Sequence, residues 1–278
     1  MVTEKQIETD VAHAFEEDLD GKGDLTTGLV PEGLQAHARV ITREDGILAG
    51  SAWFDACFKH LDPDCRLFWH AEDGEALVNG QTVCEIEGDA RALLTAERTA
   101  LNFLQTLSGV ATVTSHYVAA VAGTKARIYD TRKTLPGLRV ALKYAVRCGG
   151  GENQRMGLYD GVLIKENHIA AAGGVRQALD LALTSAPPGI SIQIEVENMT
   201  QLVEALDAGA KLIMLDNYDA ELLREAVLYT NGQAVLEASG GITLDNVRSI
   251  AESGVDRISI GSLTKNVQAL DLSMRFID

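Results

Sequence analysis

Ser191-Ile192-Gln193-Ile194-Glu195-Val196-Glu197 alternates apolar and polar residues in one short run. Successive side chains of an extended strand point to opposite faces, so Ile192, Ile194 and Val196 share one face and Gln193, Glu195 and Glu197 the other. The run is one of six apolar strand candidates that recur from residue 126 onward, at 127–130, 161–165, 191–196, 211–216, 234–239 and 257–261. Helical patterns lie between them, at 175–183, 199–208, 220–229 and 244–253. Alternating strands and helices predict parallel pairing through right-handed crossovers. A complete eightfold barrel takes about 250 residues, more than this stretch provides, so an open α/β barrel of six or seven strands is expected. The apolar strand face must meet the outer helices, which turns Gln193, Glu195 and Glu197 inward. Barrel interiors that serve only structure are packed with branched apolar side chains, and buried charges need partners. This interior is expected to hold a polar ligand or a cation.

The first hundred residues read differently. Residues 4–18 mix acidic and apolar positions at helical spacing, and the turn-rich Asp20-Gly21-Lys22-Gly23-Asp24 follows. Short β-like runs at 38–42, 66–69 and 82–86 flank a helical segment at about 51–60, which makes an α+β layer. A long helix is expected from about 91 to 122, with Leu94, Leu101, Leu104 and Val113 on its apolar stripe. Arg98, four residues after Leu94 and three before Leu101, falls on that stripe and needs a partner, either Glu97 or a group from outside.

Composition narrows the function. The 278 residues carry 24 Lys and Arg against 40 Asp and Glu, a net charge of −16, which disfavours non-specific binding to nucleic acid or acidic lipid. Aromatic residues at 5% argue against a base-stacking surface. No run of eighteen apolar residues exists, so no membrane span is expected. Met1 to Glu8 lacks a basic flank followed by an apolar stretch and does not read as a secretory signal. Cys57, Cys65, Cys84 and Cys148 are scattered without Cys-x-x-Cys spacing and read as reduced thiols of a cytoplasmic protein.

Against that acidic background, residues 125–165 hold nine basic residues and three acids, a local charge of +6. Lys143 and Arg147, four apart after Pro136-Gly137, read as a solvated helix face. Arg132 and Lys133 fall just past one strand and Lys165 ends the next, at the carboxyl ends where barrels bind ligands. Arg offers a planar fork to carboxylate or phosphate and Lys a point charge, so a ligand with several negative charges is favoured. Gly149-Gly150-Gly151, before Asn153, Gln154 and Arg155, reads equally as a ligand-hugging loop and as a helix C-cap. It is not a Walker loop, because no Lys-Ser/Thr follows at the required spacing. Ser239-Gly240-Gly241 and Ile260-Gly261-Ser262 close the last two strands, where bare N–H groups commonly meet a phosphate. Asp216, closing its strand, suits Mg²⁺ through water, sugar hydroxyls, or capping of the following helix. The six histidines show no metal-ligand spacing, and His168 is expected either to support neighbouring ligand-binding residues from behind or to have a structural role.

The string Asp130-Thr131-Arg132-Lys133-Thr134-Leu135-Pro136-Gly137-Leu138-Arg139, with Gly149-Gly150-Gly151-Glu152-Asn153-Gln154-Arg155 and Leu163-Ile164-Lys165-Glu166-Asn167-His168, resembles the quinolinate phosphoribosyltransferase family. These are the decarboxylating nicotinate-nucleotide pyrophosphorylases of NAD biosynthesis. The likeness runs from Gly23-Asp24-Leu25-Thr26-Thr27 through Glu97-Arg98-Thr99-Ala100-Leu101-Asn102 to Gln268-Ala269-Leu270-Asp271-Leu272-Ser273-Met274-Arg275, essentially the whole chain. The resemblance implies an N-terminal α/β sandwich, residues 1–106 joined by the tail 267–278, and an open seven-stranded α/β barrel, residues 107–266, carrying the active site. It implies Mg²⁺-dependent phosphoribosyl transfer from phosphoribosyl pyrophosphate to quinolinate, with loss of CO₂, giving nicotinate mononucleotide and pyrophosphate.

By the same resemblance, Arg132, Lys133, Arg155 and Lys165, with Thr131 beside them, would hold the carboxylates of quinolinate and the phosphates of its co-substrate. Glu195 and Asp216 would serve the ribose hydroxyls and Mg²⁺, the metal through water. Ser239, Gly240, Gly241, Ile260, Gly261 and Ser262 would cradle the 5-phosphate. Lys133, Lys165, Glu195 and Asp216 would be the catalytic residues. The family implies a homodimer, or a hexamer, in which Arg98 completes the neighbour's site. One position departs: the family usually has His where this chain has Gln154, and Gln cannot be a cation near neutral pH.

Three rival readings remain distinguishable. A molybdenum-transport-associated paralogue would share the fold without releasing CO₂ from quinolinate. A Schiff-base aldolase would use Lys165 at its strand end. A non-catalytic anion or nucleotide sensor is favoured by Gln154 alone.

Overall fold

The computed structural model describes residues 2–277. In chain order they form α1 (Glu4–Leu19), β1 (Gln35–Thr42), β2 (Gly46–Ile47), α2 (Ser51–Leu61), β3 (Arg66–Trp69), β4 (Ala76–Leu77), β5 (Thr82–Asp89) and the long α3 (Ala90–Ala120). There follow β6 (Arg127–Tyr129), α4 (Arg139–Cys148), β7 (Gly161–Ile164), α5 (Glu166–Ala172), α6 (Val175–Ser185), β8 (Ser191–Val196) and α7 (Met199–Asp207). The chain ends with β9 (Leu212–Asp216), α8 (Ala220–Thr230), β10 (Val235–Ser239), α9 (Val247–Ala251), β11 (Arg257–Ser259), α10 (Ser262–Lys265) and β12 (Leu272–Ile277). They group into two units: Met1–Ser115 with Thr134–Gly150 and Leu263–Asp278, and His116–Lys133 with Gly151–Ser262. Residues 134–150, α4 included, cluster with the first unit although the strand–helix rhythm runs through them.

The first unit is built on an antiparallel sheet in the order β12-β1-β5-β3, with β2 and β4 paired separately. Ala38, Val40 and Thr42 of β1 are buried, the two-residue period of a strand with one face on a core. Trp53, Phe54, Cys57 and Phe58 form the buried stripe of α2. Removing such large side chains from water stabilises by about 1.5–3 kcal/mol each. Asp10 is buried on α1 because it accepts from both Gln6 Nε2 (2.8 Å) and Trp53 Nε1 (2.9 Å).

Two expectations fail in this unit. Of the expected α3 stripe, Leu101 and Leu104 are buried, together with Leu93, Ala96, Ala100 and Leu107, whereas Leu94 is 38% exposed and Val113 half-buried. Arg98 therefore lies on an exposed face, not on the stripe. Lys143 is fully buried, unlike the exposed Arg147, because α4 is enclosed on more than one side. Tyr144 donates to Asp73 Oδ2 (2.7 Å) and its ring packs on Trp53. At the C-terminal end of α4, a Cβ on Gly149 would run into the Ala111 carbonyl of α3, and Gly150 takes φ +84°. The first two glycines of the triplet thus serve close packing and helix termination.

The second unit is a six-stranded, wholly parallel sheet in the order β6-β11-β10-β9-β8-β7. All six strands fall on the six predicted runs. Each strand neighbours the next in sequence except that β6 pairs with β11, which leaves β6 and β7 as the edges of an open barrel. In place of a seventh strand there is a single parallel bridge between Tyr129 and Glu152. Residues 149–160 contain four glycines and no β-branched residue, which keeps that bridge from propagating. Asn198 caps α7 through Gln201 N–H (3.1 Å), and Asp219 caps α8 through the N–H groups of Glu221 (3.0 Å) and Leu222 (2.9 Å). Asp216 is thereby released from the capping role open to it in the sequence. Among the described residues, no helix is long and apolar enough to cross a membrane.

Candidate active site

Parallel strands end together, so the residues that close them converge. Asp130 to Lys133 follow β6, Lys165 follows β7, Glu197 follows β8, and Asp216 closes β9 in register with Ser239 of β10. Ile260, Gly261 and Ser262 follow β11. Every predicted site residue except Arg98 lies in this unit; Arg98 belongs to the other.

Glu195, 8% exposed, points inward and meets Lys165 Nζ at 2.6 Å. Gln193 is also buried, and its Nε2 donates to Glu237 Oε2 at 3.1 Å. The inward polar face of β8 is therefore real, while Glu197 lies past the strand end and is exposed. Arg132, Arg155, Lys165 and His168 line one cleft of about 480 Å³ with Leu163 and Leu181. Burial and the neighbouring Arg132 both act against the charge on Arg155, and Asp160 supports it. An arginine stays charged under such pressure, so two guanidinium groups repelling one another invite a shared anion. Arg155 is braced by Nη1 donating to the Gly161 carbonyl (2.8 Å).

Asp216 experiences the opposite mixture. Burial pushes its carboxyl up, Lys165 and Lys133 pull it down, and Glu197 and Glu166 push it up again. Its Oδ2 accepts from Asn217 Nδ2 at 2.8 Å, and Asn217 N–H donates to the Ser239 carbonyl at 2.9 Å. A Cβ on Gly240, at φ +98°, would run into Asn217 Oδ1, so the glycine is what lets Asn217 dock and orient Asp216. A Cβ on Gly261 would lie 2.9 Å from Lys133 Cδ, so bare backbone there admits the lysine stem. Lys133 N–H donates to Thr131 Oγ1 (3.0 Å), a local turn that gives Thr131 a structural task. Ile260 N–H is already bonded to the Tyr129 carbonyl (2.9 Å), which leaves Gly261 and Ser262 to offer backbone at that strand end. His168 Nδ1 accepts from Lys165 N–H (3.0 Å) and closes the first turn of α5, a structural role.

Three residues of the site escaped the sequence. Asp130 is fully buried and accepts from Gln154 N–H (2.9 Å) and Asn153 Nδ2 (2.5 Å). Glu237, fully buried in the middle of β10, accepts from Gln154 Nε2 through both oxygens (2.5 Å each). The parity that turned Glu195 inward applies equally to Val235-Leu236-Glu237-Ala238-Ser239 and was the available signal. No comparable signal marked Asp130 or Asn153, whose contact joins a strand end to a loop.

Comparison with known proteins agrees with this arrangement. Residues 24–108 match the quinolinate phosphoribosyl transferase N-terminal domain, and residues 110–275 match the C-terminal domain of the same family. The chain is 43% identical over 262 residues to a probable nicotinate-nucleotide pyrophosphorylase [carboxylating] of Bacillus subtilis (strain 168), covering 94% of this chain and 90% of that protein. It is 43% identical over 273 residues to the nicotinate-nucleotide pyrophosphorylase [carboxylating] of Mycobacterium leprae (strain TN), covering 95% of each. The solved nicotinate-nucleotide pyrophosphorylase of Francisella tularensis superposes with a TM-score of 0.96 at 40% identity, over 100% of this chain and 98% of the other. With both halves matched in order and its cationic cleft at the barrel mouth, the chain belongs to the quinolinate phosphoribosyltransferase family.

Proposed function

We propose that this chain transfers a phosphoribosyl group from phosphoribosyl pyrophosphate to quinolinate and releases CO₂, yielding nicotinate mononucleotide for NAD synthesis. The observation that carries the reading is the meeting of Arg132, Arg155 and Lys165 in one cleft beside Glu195 and Asp216. A dicarboxylic pyridine and a sugar polyphosphate together bring more negative charge than any neutral substrate, and forked guanidiniums suit both. The aldolase alternative is disfavoured, because Lys165 is held by Glu195 at 2.6 Å and the cations that share its cleft suit a polyanion better than a carbonyl substrate.

The pyridine nitrogen attacks the anomeric carbon as pyrophosphate leaves, through a transition state with positive charge on the sugar ring. Glu195 and Asp216 oppose that charge, while Lys133 and Lys165 stabilise the leaving phosphates. Alkylation makes the ring nitrogen cationic; its charge stabilises the electron pair left on the adjacent ring carbon as the carboxylate departs as CO₂, and that carbon then takes a proton from water to give the product. Arg132 and Arg155 fix the pyridine carboxylates, so positioning carries most of the catalysis. Ser239 to Gly241 and Ile260 to Ser262 border the 5-phosphate, Gly261 and Ser262 with freer backbone than Ile260.

Mg²⁺ fits the donor set. No group of three or more His, Cys, Asp or Glu suited to a metal occurs among the described residues, and Mg²⁺ commonly relies on one or two carboxylates, water and substrate phosphates. Asp216 and Glu195 would hold it, through water, and it supplies charge neutralisation to the leaving pyrophosphate. We further assign the chain to a homodimer, or a hexamer, in which Arg98 reaches the neighbouring site. A cytoplasmic setting would keep its four free thiols reduced. The test is incubation with carboxyl-labelled quinolinate, phosphoribosyl pyrophosphate and Mg²⁺, with nicotinate as the control substrate. Release of labelled CO₂ with formation of nicotinate mononucleotide is expected; turnover of nicotinate alone would overturn the reading.

A further inference from the structure

Residues 151–160 connect α4 to β7 without helix or strand, apart from the bridge at Glu152, yet they carry Arg155. Such a segment needs outside anchors to hold a side chain within about half an ångström of a working position. Several anchors lie at the end of β6. Glu152 N–H donates to the Ile128 carbonyl (2.8 Å), Asp130 N–H to the Glu152 carbonyl (3.1 Å), and Gln154 N–H to Asp130 Oδ1 (2.9 Å). Another reaches across the barrel interior, from Gln154 Nε2 to both carboxylate oxygens of Glu237, 2.5 Å each.

We infer that Glu237 is a positioning residue for the reaction: from the middle of β10 it grips the side chain of Gln154 and so fixes Arg155 at the barrel mouth. The inference rests on the proposed role of Arg155 in holding the dicarboxylate. Glu237 has no exposed surface, so it acts through Gln154 and not on substrate. An ionised carboxylate only accepts hydrogen bonds, and Gln154 Nε2 and Gln193 Nε2 (3.1 Å) are both donors, so the cluster is matched in polarity. Removing Gln154 takes from Glu237 the donor that meets both its oxygens and leaves it Gln193 and Ser259, while removing Glu237 leaves Gln154 Nε2 the longer contact to Gln193 Oε1 (3.4 Å), which couples positions 154 and 237. Gln154 in turn is joined by one peptide bond to Arg155, whose own Nη1 reaches the Gly161 carbonyl at 2.8 Å. Arg155 is thus strung between the interior clasp and the start of β7.

The test compares the full wild-type chain with Gln154→Ala, Glu237→Ala and Glu237→Gln. Quinolinate and phosphoribosyl pyrophosphate are varied in turn, and backbone hydrogen exchange is followed over residues 152–157. Gln154→Ala and Glu237→Ala are expected to raise KM for quinolinate about tenfold or more, with KM for phosphoribosyl pyrophosphate changed less than about threefold. Exchange at residues 153–156 should quicken about tenfold in both. Glu237→Gln keeps one acceptor oxygen for Gln154 and should fall between wild type and Glu237→Ala. Adding it to Gln154→Ala should make matters no worse, the mark of two residues acting as one. A quinolinate KM within about twofold of wild type in Gln154→Ala, whatever happens to its melting temperature, would overturn the inference. If Glu237→Ala does not fold, Gln154→Ala decides alone. A wild-type chain that releases no CO₂ from quinolinate sinks the proposed function instead, and hydrogen exchange then decides the clasp.

Discussion

Arg132 acts against the charge of Arg155 inside one cleft, an arrangement suited to a shared anion. One such fork on a sequestered anion is worth about 2–4 kcal/mol in the transition state, so Arg132→Ala should lower kcat/KM by roughly 30- to 1000-fold. Steady-state kinetics with quinolinate check it, and an unchanged value would remove Arg132 from the site. Glu237 makes a different prediction, about pH. Burial, outweighing the hydrogen bonds of Ser259, Gln193 and Gln154, pushes its carboxyl above the ordinary 4.5. The folded chain then binds that proton more tightly than the unfolded one, so this contribution to stability is full at acid pH and is lost as pH rises through the folded value. Glu237→Gln has no such titration. The melting temperature of wild type minus that of Glu237→Gln should therefore shrink between about pH 4 and pH 7. A gap that widens would contradict the assignment. At this scale legibility followed parity: Glu195 was visible because its strand alternates cleanly, and Lys143 was misread because charge alone does not report how many sides of a helix are covered.

Among the elements, six strands stood out because parallel strands buried on both faces leave dense apolar runs between helices. The phase of α3 was legible only in part: Leu101 and Leu104 are buried as their spacing predicts, whereas Leu94 is left partly exposed and Arg98 with it. The two aspartates around β9 and α8 show what a sequence leaves open and geometry closes. Asp219 supplies two hydrogen bonds to the first turn of α8, whereas Asp216 is turned to the site and held by Asn217. Asp219→Ala should cost about 1 kcal/mol of stability, the usual worth of an N-cap, with kcat little changed. Asp216→Ala should do the reverse, leaving urea unfolding near wild type while turnover collapses. Equal losses of stability in the two variants would mean that Asp216 is a structural residue after all.

For the molecule as a whole, the first unit displays apolar surface that its own core does not use. Leu25 and Leu29 are 89% and 85% exposed. Their segment is tied to α3 by Thr95 Oγ1 to Asp24 Oδ2 (3.0 Å) and by Arg91 Nε to the Val30 carbonyl (2.9 Å). Arg91, Thr95 and Arg98 follow one another at four- and three-residue steps, so the exposed leucines and Arg98 share a side of the helix. An exposed cation bordered by exposed leucines suits a surface covered by a second copy, and a two-fold arrangement would give each site an Arg98 from its neighbour. The consequence is measurable without a structure of the assembly. Arg98→Ala and Arg132→Ala chains, each inactive alone, would reassociate at random when refolded together. Half of the dimers would then be mixed, each with one site lacking both side chains and one site intact. Recovery of about a quarter of wild-type activity is expected from that count. If the mixture stays as inactive as its components, Arg98 serves the site of its own chain or none.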